Sequence, residues 1–147
     1  MQLRRSEIEK TYLDEQFPDT HFSLYQSSDP EHFISCFVAR VPNKQSCEDN
    51  WLSITSEIAI NFQTTLKNDF ASWNIYLVFI CPEPIDKHLK YRIENNRFAL
   101  RKIVLNSEIT EANEETQILE ILGKTILGND LEIVSIPTAS IAAPETK

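Results

Sequence analysis

WNIYLVFICPEPIDKHLKYRIENNRFALRKIVLN, running from Trp73 to Asn106, is the stretch on which the fold turns. Asn74 to Cys81 is a compact run of large apolar and aromatic residues. So continuous a run does not suit an edge strand with one face in water; it predicts a central strand buried on both faces. Pro82 and Pro84 end the run, because proline has no N–H to give to a ladder. Leu89, Tyr91 and Ile93 then alternate with Lys90, Arg92 and Glu94, which predicts a half-buried strand with a charged outer face. Asn95, Asn96 and Arg97 read as a turn, and Phe98 to Leu105 as another strand. A three-stranded antiparallel meander is the simplest local topology, with a helix beginning near Asn96 as the competing reading.

Upstream, Ser46 followed by Asp49 offers a helix start with acidic charge in the first turn. Trp51, Ile54, Ile58, Phe62 and Leu66 recur at spacings of three and four, an apolar stripe on a helix of about five turns. Leu52, Ala59 and Ile60 broaden that stripe and predict burial on more than one side, and Lys67, Asn68 and Asp69 mark its end. Nearer the start, His21–Ser27 and His32–Val41 read as strands about a Ser28-Asp29-Pro30 turn, an antiparallel hairpin stopped by Pro42 and Asn43. Ser6 to Glu9 fits a capping box opening a short helix, with Ile8, Tyr12 and Leu13 on one face and an end near Phe17 and Pro18. That helix either covers the domain or docks on a partner.

Downstream, Thr110 to Leu122 is helical with an acidic start; Leu119, Leu122 and Ile126 face inward, and Gly123 breaks or caps it. Gly128 marks a turn before Leu131 to Ile136. Together these readings give an α+β fold: a small antiparallel or mixed sheet with a long packed helix and shorter flanking helices. Residues 1–136 read as one domain and 137–147 as a flexible C-terminal tail.

Composition narrows the chemistry. A chain of 147 residues with 41% apolar content can bury a core without disulfides or metal. With 22 acidic and 14 basic residues its formal net charge is −8, which argues against a general nucleic-acid-binding surface. Only Gly123 and Gly128 are glycines, so no glycine-rich phosphate loop can form and no nucleotide cofactor is expected. Cys36, Cys47 and Cys81 are odd in number and widely spaced, and Cys36 and Cys81 lie in apolar runs as buried small hydrophobes. The N-terminus MQLRRSEIEK lacks an apolar signal core and no run reaches membrane-spanning length, so a cytoplasmic location is expected.

His21, His32 and His88 are dispersed and form no metal-ligand spacing. Ser53, Thr55 and Ser56 have no paired base and read as ordinary helix positions. A small divalent-metal-dependent nuclease built from Glu57, Asp86, Glu94 and Lys102 is the enzymatic alternative, although Glu94 and Lys102 lack the short acidic-x-lysine spacing on one strand. A small-ligand regulatory module would need an aromatic pocket. Arg92, Glu94, Asn95, Asn96, Arg97, Arg101 and Lys102 form the densest polar cluster. It reads as a turn pinned by Glu94 with Arg97 or Arg101, as a protein-facing surface whose guanidinium forks take carboxylates, or as a local phosphate contact.

The strand WNIYLVFICP followed by YRIENNRFALRKIV resembles the middle component of bacterial ABC-three component conflict systems, including Lamassu-type antiviral defence. The residues that carry the likeness are Tyr91, Ile93, Glu94, Asn95, Asn96, Arg97, Arg101 and Lys102. Asn96 stands where an aspartate is the more usual residue, which speaks against an acidic catalytic site. The resemblance implies a non-catalytic accessory or scaffolding subunit. Its implied partners are an SMC- or Rad50-like coiled-coil ATPase and an effector, commonly a nuclease. DNA contact would be indirect or local, and no membrane would be involved. Within that implication, Arg92, Glu94, Asn95, Asn96, Arg97, Arg101 and Lys102 are the candidate protein-interaction residues.

Overall fold

The computed structural model describes residues 2–127. Two compact units divide the chain, a sheet unit spanning Gln2–Glu108 and a second unit that begins at Ile109. The turn expected at Gly128, the run Leu131–Ile136 and the tail 137–147 lie outside the described residues.

The sheet unit is a five-stranded mixed sheet in the order β1-β2-β3-β4-β5. Its strands are β1 (Leu3–Ser6), β2 (His21–Ser27), β3 (Ser35–Arg40), β4 (Ile75–Cys81) and β5 (Arg101–Asn106). The first three pair antiparallel, so the expected β2–β3 hairpin forms, with Tyr25 opposite Cys36. β3, β4 and β5 pair parallel. Parallel neighbours require crossovers, and helices α2 (Lys44–Asn61) and α4 (Lys87–Glu94) supply them. The α+β class therefore holds, with the sheet mixed.

The antiparallel meander after β4 is corrected. Leu89–Ile93 is not a strand but the inner face of α4: Leu89 and Ile93 are buried four positions apart, while Tyr91 is 70% exposed. Asp86 caps this helix, its Oδ1 accepting from the Leu89 N–H at 2.9 Å. β5 begins at Arg101, and no helix starts near Asn96.

β4 is buried at every position and paired on both sides, as its composition predicts. Ile75, Leu77, Phe79 and Cys81 share a core with Phe37 and Ala39 of β3 and with Phe22 and Leu24 of β2. Onto that core α2 lowers Cys47, Trp51, Ile54 and Ile58, with Phe62 just past its end. Each large apolar side chain so buried contributes roughly 2 kcal/mol. The helix is capped by Asn43, whose Oδ1 accepts from Ser46 N–H at 2.8 Å, so Ser46 lies inside it and is not the cap. Leu52 and Ile60 do not broaden the buried stripe; they are 49% and 64% exposed. After Asn61 the chain tightens into a 3₁₀ turn (Gln63–Thr65), then α3 (Asp69–Trp73), which Asn68 caps through Ala71 N–H at 3.1 Å.

The N-terminal capping box does not form. Ser6 closes β1, and Glu9 instead accepts from Thr11 N–H at 2.6 Å, starting a shorter α1 (Thr11–Gln16). Leu13 is buried, Tyr12 half-buried and Ile8 exposed.

In the second unit a 3₁₀ turn (Glu111–Asn113) leads into α5 (Glu114–Leu122). Gln117 Oε1 accepts from Thr110 N–H at 2.9 Å, and Glu114 and Glu115 place negative charge where the helix dipole favours it. Ile118, Leu122 and Ile126 are buried, and Leu119 is intermediate rather than inward. Gly123 is the C-cap residue of α5, as expected, but it takes ordinary helical angles and the chain runs on as a π-helical turn, Gly123–Leu127.

Candidate protein-interaction surface

In open sheets with parallel strands, ligands usually sit beyond the carboxyl ends of the strands, at helix N-termini. Here those ends are taken up by the chain's own carboxylates. Glu83 Oε1 accepts from Lys44 N–H at 2.8 Å at the start of α2. Asp86 caps α4 and its Oδ2 lies 2.9 Å from Lys44 Nζ. The Lys44 hydrogen bond, more than any other contact, holds Asp86 down at about 2.

The opposite end, where the chain enters β4 and β5, is open. Two grooves adjoin there. One, of about 610 Å³, is lined by Ala59, Leu66, Trp73, Arg97 and Phe98 among others. The second, of about 480 Å³, is lined by Trp73, Glu94, Asn96, Arg97 and Arg101 among others. Trp73, Arg97 and Ala99 belong to both. Trp73 is 68% exposed and Phe98 50%.

The backbone beneath is pinned. Lys102 Nζ donates to Asn96 Oδ1 at 2.8 Å and to the Phe98 carbonyl at 2.7 Å. That lysine is only 4% exposed, and burial pushes its ammonium down to about 8. Leu100 N–H closes back on the Phe98 carbonyl at 2.7 Å around Ala99, which has φ 62°. Such a γ-type turn at a residue bearing a Cβ is strained by about 1–3 kcal/mol and persists only where its surroundings hold it. Gln63 Nε2 helps to hold it, donating to Ser72 O at 2.8 Å and to Ala99 O at 3.4 Å. Gln63 thus ties the turn to the segment that carries Trp73.

The seven candidate residues separate into distinct roles. Glu94 Oε2 accepts from Val104 N–H at 2.8 Å and from Lys90 Nζ at 3.0 Å, while Lys90 Nζ donates to Val104 O at 2.6 Å. Helix α4 thereby satisfies both outward backbone groups of Val104 on edge strand β5, which blunts that edge. Glu94 therefore pairs with Lys90 and not with Arg97 or Arg101. Asn95 ends α4, its Nδ2 donating to Tyr91 O at 3.0 Å. Arg92 is exposed in the last turn of α4 and lines neither groove. Arg101 lies on the other sheet face from Lys102, its Nη1 donating to Tyr76 Oη at 3.1 Å with the guanidinium 5.6 Å from the Tyr76 ring centre. Arg97 is exposed and forms no ion pair among the described residues.

Trp73 and Phe98 are groove residues that sequence reasoning missed. Only the break in the apolar run at Asn74 hinted that Trp73 stands outside the buried strand.

The carboxylates weighed for a nuclease are not gathered. Asp86 and Glu94 lie at opposite ends of α4, about 12 Å apart along its axis, and Glu57 accepts from Asn61 Nδ2 at 3.0 Å. Among the described residues no group of three His, Cys, Asp or Glu could hold a metal ion. Cys36, Cys47 and Cys81 are buried free thiols, and burial pushes Cys47 up to about 12. Among the described residues no helix is long and apolar enough to cross a membrane.

Residues 35–130 match the family pattern of the ABC-three component (ABC-3C) system Middle Component 1. The match begins at β3 and so takes in both parallel crossovers, the two grooves and α5, leaving out β1, α1 and β2. No curated protein and no solved structure gives a match.

Proposed function

Because the chain belongs to the ABC-three component system Middle Component 1 family, we propose that it is a non-catalytic accessory subunit that joins or regulates the other members of its system. The partners we assign are an SMC- or Rad50-like coiled-coil ATPase and an effector, most simply a nuclease, in a Lamassu-type antiviral complex. The family carries the accessory role, since its name implies partners within a multi-component system. One observation carries the choice of surface: Trp73, at the end of α3, stands exposed beside Phe98 and Arg97 of the pinned turn, and Arg97 has no ion pair among the described residues. Exposed large aromatics beside arginine have the composition of interface anchors. Within the polar cluster, Arg97, Asn96 and Arg101 face the partner from the grooves, whereas Lys102 holds the turn in shape, Glu94 ties α4 to β5 and Asn95 closes the end of α4.

Co-expression with the products of neighbouring genes tests the proposal. A stable complex that contains this chain is expected, with no ATP hydrolysis and no DNA cleavage by the chain alone. Divalent-metal-dependent cleavage by the isolated chain, or its failure to join any complex, would overturn it.

A further inference from the structure

We infer that the Trp73–Arg97–Phe98 surface takes an acidic segment of a partner protein, with an apolar side chain in the larger groove and a neighbouring carboxylate on Arg97. The inference rests on the accessory-subunit reading and adds the chemistry of the partner.

The local charge runs against that of the molecule. The chain as a whole carries −8. At the grooves the cations are Arg97 and Arg101, and the acidic residue is Glu94. Glu94 is already spent, since its Oε2 is held by Val104 N–H and Lys90 Nζ. Arg97 lines both grooves and pairs with no carboxylate among the described residues. An exposed guanidinium fork beside apolar surface offers two parallel donors to a carboxylate and an apolar wall to the residue next to it.

Apolar character is concentrated on one side of that fork. Ala59, Leu66, Trp73, Phe98 and Ala99 line the larger groove with Arg97. One large apolar side chain seated there would meet two aromatic walls. A nucleic acid is the poorer fit: its backbone needs a row of cations, and net charge of −8 repels a polyanion. The turn is also built before any partner arrives, since Lys102 and Gln63 hold Asn96, Phe98 and Ala99 in place. A preformed surface loses less conformational entropy on binding than a loose one.

The test uses the complex assembled from the full chain and its neighbouring gene products. Phe98→benzoylphenylalanine is photo-crosslinked and the captured segment is sequenced by mass spectrometry. The expected segment carries Asp or Glu within about two positions of a large apolar residue, the reach of one side chain along an extended strand. Arg97→Glu, an exposed substitution checked by an unchanged melting temperature, should weaken the complex at least about tenfold. Reversing the captured carboxylate to lysine on the partner should restore it. Crosslinks to nucleic acid, a captured segment without acidic residues, or unchanged affinity of Arg97→Glu would overturn the inference. Assembly that ignores Arg97 removes this inference alone; no assembly with any protein removes the accessory reading and this with it.

Discussion

Lys102 Nζ donates to Asn96 Oδ1 at 2.8 Å from a position only 4% exposed, with no ion pair to a carboxylate among the described residues. A buried ammonium held by a side-chain amide and a carbonyl is costly, and here it shapes the turn that carries Arg97 and Phe98. The folded state holds this lysine at about 8 against an ordinary value of 10.5. Between those values the unfolded chain binds more protons than the folded one, so this group's contribution to stability rises with pH. Wild-type protein should therefore gain stability relative to Lys102→Met as pH rises from about 8 towards 10.5, by at most about 3 kcal/mol. Urea unfolding of both proteins at pH 7.5 and 9.5 reads the difference. A flat difference would contradict a charged, buried Lys102.

Glu94→Ala should be destabilising by about 1–3 kcal/mol, because it strips the Val104 N–H of its acceptor in a residue 2% exposed. Glu94→Gln retains an acceptor there and should cost clearly less. Denaturant midpoints rank the two variants. Light scattering should show added self-association in Glu94→Ala, since edge strand β5 is no longer blunted.

Asp86 sits at about 2 against an ordinary 3.8, mainly through its hydrogen bond with Lys44. Its contribution to stability is fully present above 3.8 and is lost as pH falls from there to about 2. Acid titration of Asp86→Asn, followed by circular dichroism, should show a shallower loss of stability across that window than wild type shows. Identical slopes would mean that the Lys44–Asp86 pair is not formed in solution.

All three cysteines are buried, and Cys47 is pushed up to about 12 by its apolar surroundings. Thiolate, not thiol, is the reactive form. Folded protein at pH 8 should therefore resist a thiol reagent that labels all three sites after denaturation. Rapid labelling of Cys47 in the folded chain would contradict the packing of α2 on β4.

Much of the sheet could be read directly. β4 announces itself because a strand paired on both sides and covered on both faces has no polar position. β2 matches its predicted bounds, and α2 declares itself through Trp51, Ile54 and Ile58. α4 misled because its eight residues place just Leu89 and Ile93 inward, and lysine, arginine and tyrosine between them imitate period-two alternation. The physical clue was the Asp86 cap three residues before Leu89, combined with prolines that leave room for a crossover. β1 carries one inward apolar residue, Leu3, too little for any periodicity to register. The polar cluster was visible as a cluster, but its division into buried Lys102, spent Glu94 and available Arg97 depends on which sheet face each residue meets. Trp73 was hidden for the same reason: only the placement of α3 decides that this indole faces solvent.

The most direct test is the affinity of Trp73→Ala for the assembled partner subunits, measured by biolayer interferometry beside wild type. Trp73 is largely exposed, so the substitution should leave the melting temperature nearly unchanged. A weakening of about 30-fold or more, corresponding to loss of an interface anchor worth about 2 kcal/mol, is the expected result. Wild-type affinity in a folded Trp73→Ala protein would contradict a partner-facing role for these grooves.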